Sequence, residues 1–222
     1  MSEFTQAFPY MADHLSYLSH LLVKHIELAG ATLVVATAIA LPLGVVLGHA
    51  HRLSWLAINI ANAGRALPSL GIIAIGLGIL GIGFLNVLVA LVILVIPPVL
   101  TNAYVAIDGV DRDVVEAARG MGLTGWQILR RVELPIGLPL LFAGLRIGGV
   151  FAIGDATIAS IAGGTSLGDP IVNPSLPDQD LVAAALWVAA LAIVYYAGMV
   201  AIERLVTPRG LRAALEPLGV VK

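Results

Sequence analysis

The chain has 222 residues, 59% of them hydrophobic and only 12% charged, with a mean hydropathy of +0.98. Soluble domains carry charge on about a quarter of their residues, so this balance excludes an ordinary globular domain and points into a bilayer. The net charge of −2 gives no sign of a nucleic-acid partner, and the lack of cysteine excludes disulfides, thiol catalysis and thiolate metal sites.

In chain order, the N-terminus lacks a basic start, a short apolar run and a small-residue cleavage site, so no removable signal peptide is expected. Leu15, Leu18, Leu22 and Ile26 then recur at roughly helical spacing. They fit either an interfacial helix lying on the outer surface or a helical extension of the first span. A crossing helix needs roughly 20 apolar residues. Spans are expected near 28–48, 57–81, 84–106, 138–161 and 181–203. The second and third are divided at Gly81–Gly83. The whole of 1–222 reads as one transmembrane domain.

Basic residues test this count. Arg52 follows the first span; Arg112, Arg119, Arg130 and Arg131 follow the third; Arg204, Arg209, Arg212 and Lys222 follow the fifth. The turn after the second span is uncharged, and the loop after the fourth holds Asp169, Asp178 and Asp180 with no Lys or Arg. Lys and Arg collect in cytoplasmic loops. The expected topology is therefore N-terminus outside and C-terminus cytoplasmic, in an all-α, multi-pass protein of the inner (plasma) membrane.

Between the third and fourth spans, over 108–135, two helix starts are legible. Asp113 is expected to cap a short helix with Glu116 in its first turn, ending at Gly120 or Gly122. Thr124 is expected to cap a second, with Gln127 completing a capping box. Pro135 is expected to end that second helix.

Glu116-Ala117-Ala118, then Gly122, then Val132-Glu133-Leu134-Pro135 is similar to the EAA signature of type I ABC importer permeases. Val132 departs from the more usual Ile while keeping shape and polarity. The resemblance implies the type I permease fold and a loop that docks on a cytoplasmic ATPase. It assigns the coupling positions to Glu116, Ala117, Ala118, Gly122, Leu134 and Pro135. Arg65 to Leu70, Gly81-Ile82-Gly83, Ala143 to Arg146, Gly163 to Ile171 and Thr207 to Leu211 resemble the osmoprotectant subfamily. That subfamily handles glycine betaine, choline and carnitine; another small polar solute such as an amino acid, or a secondary transporter, is the alternative. The implied partners are ABC ATPase subunits, an extracytoplasmic solute-binding protein, a second permease copy or homologue, and membrane lipid. No Gly-x-x-x-x-Gly-Lys-Ser/Thr loop occurs, so ATP is expected on the partner subunit, and this chain is expected to carry no cofactor and no catalysis of its own.

Arg65, Arg146 and Asp155 fall inside predicted spans, where a charge costs about 2.5–3.5 kcal/mol at mid-membrane on the insertion scale. With Pro68 they are the candidate pathway or gate residues. Asp155, where the resemblance implies a small or hydroxyl residue, is read either as a path residue, or as half of a structural bridge to an Arg or a residue at the outer rim near solvent. Gly44 and Gly48, and Gly144 and Gly148, are spaced for close helix contact, internal or between subunits. Tyr195 and Tyr196 are expected to pack rather than bind ligand. His49 and His51 are expected to be surface histidines rather than a metal site.

Overall fold

The computed structural model describes residues 2–50, 55, 59–60 and 68–207, with side chains from residue 7 onward. Arg52, His51, Arg65, Arg209, Arg212 and Lys222 lie outside the described residues. The described chain is helical from end to end. Helix α1 spans Ser2–Asp13, α2 Leu15–Ala50, α3 Ser69–Leu80 and α4 Phe84–Asp108. Then come α5 Arg112–Gly120, α6 Gly125–Ile128, a π-helical turn Leu129–Glu133 and α7 Leu134–Asp155. A 3-10 helix covers Ala156–Ala162, followed by α8 Asp169–Val172 and α9 Asp178–Val206.

Among the described residues, four helical stretches are long and apolar enough to cross a membrane: Leu15–Ala50, Phe84–Asp108, Gly125–Ala162 and Asp178–Val206. They correspond to the first, third, fourth and fifth predicted spans. Most of the first half of the second, 57–58 and 61–67, lies outside the described residues; its second half is the 12-residue α3. The division at Gly81–Gly83 holds: both glycines have positive φ, +77° and +138°, which only glycine adopts without strain.

Of the two readings of residues 15–26, the helical extension is the one seen. α2 runs unbroken for 36 residues, about 54 Å, longer than a bilayer core. α1 folds back beside it and packs Ala7 against Leu18 and Ala183, with Trp187 at the edge. Burial and the neighbouring Asp180 push the Tyr10 phenol up to about 12, so it stays protonated where α1 meets the start of α9.

α4 is the centre of the bundle. Both glycine pairs serve packing against it within the chain. A Cβ on Gly44 would sit 2.6 Å from the Leu100 carbonyl oxygen, and one on Gly48 would sit 2.8 Å from that of Tyr104. From the other side, a Cβ on Gly144 would meet Asn102 Cβ at 2.7 Å, and one on Gly148 would meet Val99 at 2.7 Å. The missing side chains let α2 and α7 approach the α4 backbone, which is how helices gain contact area where lipid is as apolar as leucine. His25, fully buried on α2, adds a polar tie: its Nε2–H donates to the Ile153 carbonyl at 2.9 Å.

At the end away from the 108–135 loop, the chain after α7 folds into a tight knot. The Ser160 hydroxyl and the Ser166 amide both donate to the Asp169 carboxylate, the latter at 3.2 Å. Gly168 N–H donates to Ser166 Oγ at 2.9 Å, and Gly83 N–H donates to the Ala162 carbonyl at 3.0 Å. The α3–α4 turn is thereby fastened to this knot.

Candidate functional site

The loop after α4 is built from local bonds. Asp111, not Asp113, caps α5: its Oδ1 accepts from the Asp113 amide at 2.9 Å. The correction follows from cap geometry, because a capping side chain bonds an amide two or three residues ahead, and Asp113 already sits in the first turn. α5 ends at Gly120, and Gly122 turns the chain with φ +86°. Thr124 then caps α6 through the complete capping box: Thr124 Oγ1 accepts from the Gln127 amide at 3.4 Å, and Gln127 Oε1 accepts from the Thr124 amide at 2.8 Å.

Val110, Val115, Ala118 and Ile128 form a small core of the loop's own, flanked by Leu123 and Val132. This divides the alanine pair. Ala118 points inward as part of that core, while Glu116 and Ala117 are exposed. The exposed face continues with Arg119, Met121 and Trp126; the last two are 75% and 66% exposed. Arg130 and Arg131 join Trp126 and Gln127 in lining a shallow concavity of about 560 Å³. Met121 and Trp126 were missed in the sequence, although large apolar residues in a polar, capped loop are a signal of contact with another molecule.

Pro135 does not end the second helix. The helical path runs from Gly125 to Ala162, so the predicted fourth span begins inside the predicted loop. In regular α-geometry the Pro135 ring would clash with the carbonyl four residues earlier and leave one amide bond unmade. The π-turn Leu129–Glu133 widens the backbone just before it, and such bulges are one way a helix absorbs a misfit residue. Leu134 packs on the cluster of Ala103, Ala106 and Leu141, and a Cβ on Gly137 would lie 2.5 Å from the Ala106 carbonyl oxygen. The loop therefore leaves α4 and returns against it.

Two polar contacts fasten this region to the spans. His49, in the last turn of α2, lies 2.6 Å through Nδ1 from Glu133 Oε2, and Glu133 is completely buried. The expectation of a plain surface histidine is corrected: its carboxylate partner stands 84 residues away in sequence. Further along α7, Arg146 forms an ion pair with Glu203 of α9, and its guanidinium lies 5.7 Å from the centre of the Tyr196 ring. Tyr195 donates its hydroxyl to the Leu145 carbonyl at 2.7 Å. Tyr195 thus ties α9 to α7, while Tyr196 is half exposed beside Arg146.

The candidate pathway residues do not converge. Pro68 is exposed at the N-terminal end of α3, with extended φ −73° and ψ 124°. Arg146 is engaged by Glu203. Asp155 is half-buried where α7 passes into the 3-10 helix, and among the described residues no basic side chain forms an ion pair with it. The bridge expected between Asp155 and an Arg is therefore absent among them; the arginine on the same helix is taken by a glutamate of α9. No group of three or more His, Asp or Glu placed to hold a metal occurs among the described residues.

Comparison with known proteins now bears on this architecture. The glycine betaine/carnitine/choline transport system permease protein OpuCB of Bacillus subtilis is 36% identical over 196 residues, 87% of this chain and 90% of that protein. The carnitine transport permease protein OpuCB of Listeria monocytogenes is 33% identical, covering 87% and 89%. Among solved structures, an inward-facing MetNI methionine ABC transporter superposes with a TM-score of 0.76 at 22% identity, covering 88% of this chain and 99% of that one. The similarity in structure establishes a shared fold. The model of the binding-protein-dependent transport system inner membrane component family matches residues 40–208, and the chain belongs to that family, as a multi-pass permease of the inner membrane.

Proposed function

We propose that this chain forms the membrane path of an ATP-driven importer of quaternary-ammonium osmoprotectants, such as glycine betaine, choline or carnitine. The observation that carries the transport reading is the capped loop with its exposed face of Glu116, Ala117, Met121 and Trp126, held on its own small core. Such a surface is preorganised: a partner meets a rigid body and loses little freedom in ordering it. The solute class rests on what the relatives of 33–36% identity are named for.

In this reading the loop faces the cytoplasm and α1 faces outward, supported by the arginines that cluster around the loop. Two ATPase subunits dock on the loops of two permease copies, and a solute-binding protein docks on the opposite face. ATP is bound and hydrolysed by the partners. Closure of the ATPase pair displaces the loops and shifts the permease between two states, the loop carrying the bias. Of the candidate path residues, Asp155 is the carboxylate available to a cationic solute.

The test is uptake of radiolabelled glycine betaine, choline and an amino acid by the complex reconstituted with its ATPase and binding protein. ATP-dependent uptake of a quaternary ammonium compound is expected. Uptake of the amino acid alone would overturn the solute class, and uptake indifferent to ATP would overturn the importer.

A further inference from the structure

The contact between His49 and Glu133 is not required by the docking surface, since neither residue belongs to its exposed face. It joins two elements that the transport reading treats separately: the first span and the segment behind the docking loop. The 2.6 Å contact is a hydrogen bond between His49 Nδ1 and Glu133 Oε2. The imidazole also lies near the front of the same segment: a Cβ built on Gly125, the first residue of α6, would lie 3.4 Å from His49 Nε2. One ring on α2 thus bonds the far end of the stretch from Gly125 to Glu133 and neighbours its near end.

The surroundings make this a stiff connection. Gly48, the residue before His49, is locked onto α4, where even a methyl group would collide with Ile107 and the Tyr104 carbonyl. At the other end, Glu133 closes the π-turn and has no exposed surface. Its second oxygen, Oε1, is buried without a hydrogen-bond partner among the described residues. A buried polar contact of this kind suits the setting of register between elements, where only one relative position keeps the bond.

We propose that His49 and Glu133 are the strut through which displacement of the docking loop is passed to the first span. They act as positioning residues, touching neither solute nor ATPase. When the loop moves, the π-turn carries Glu133 with it, and the bond to His49 obliges the end of α2 to follow. Without the bond, the loop is free to move while α2 stays seated on α4. This deepens the importer reading and rests on it.

The experiment uses the full complex in proteoliposomes, scoring uptake and ATP hydrolysis in the same preparation. The wild-type complex comes first: absence of ATP-driven uptake there would count against the importer reading itself. Given uptake, His49→Ala is expected to lower solute moved per ATP hydrolysed by about tenfold, within the usual range of coupling between sites, with hydrolysis and ATPase association retained. His49→Asn places an amide donor near the position of Nδ1 and is expected to restore most of the ratio. Glu133→Gln, which keeps an acceptor of the same shape, is expected to fall between them. An unchanged ratio in His49→Ala would overturn the strut. So would parallel loss of uptake and hydrolysis in all three variants, which is the signature of a merely structural contact.

Discussion

The 108–135 loop and the interior of the bundle solve the same problem by opposite means. In the loop, polar groups find partners a few residues away: Asp111 with Asp113, Thr124 with Gln127. Within the spans the partners lie on different helices: Arg146 of α7 with Glu203 of α9, His25 of α2 with the backbone of α7 at Ile153. The difference follows from the solvent. At an exposed loop, water serves any group left over, so near-neighbour bonds suffice to shape the surface. In hydrocarbon no water is available, so a strongly polar side chain that enters gains most from a partner on another helix. Losing a loop bond should therefore cost little, and losing an interior one a great deal.

The largest effect is expected from Arg146→Leu, which leaves Glu203 buried and unpaired. Removing one partner of a buried pair typically costs about 3–5 kcal/mol. The double variant Arg146→Leu with Glu203→Leu should recover most of that loss. Thermal unfolding of the purified permease in detergent measures both, and equal losses in single and double variants would break the contrast drawn here. A smaller effect is expected from Gly122→Val, since a β-branched residue at φ +86° carries a steric penalty of about 1–2 kcal/mol. Its expected signature is weaker co-purification of the ATPase with normal membrane insertion. The smallest is Thr124→Ala, which removes half of the capping box for about 1 kcal/mol. Faster amide exchange confined to α6, with uptake reduced less than twofold, would sharpen the comparison; a global loss of stability would break it.

Legibility in the sequence follows the same division. The Thr124 cap, the turn at Gly122 and the break at Gly81–Gly83 were readable because each depends on residues within a single turn of chain. The long apolar helices were readable because hydropathy is additive along a helix. Asp113 was mistaken for the cap that Asp111 provides, an error of two residues where two acids compete for one role. The stop assigned to Pro135 failed because a π-turn, invisible to proline rules, absorbs the ring before it clashes.

What the sequence determined by itself was a helical membrane chain with a capped loop between two spans, since composition, apolar run length and local capping carry that information without reference to the rest of the fold. Tertiary structure alone decided where the isolated polar groups go. It turned Ala118 inward while leaving Ala117 exposed, set both glycine pairs against α4, gave Arg146 to Glu203 and not to Asp155, and brought His49 to Glu133. These are choices among partners far apart in sequence, and only the packing of one helix on another brings such partners within bonding distance.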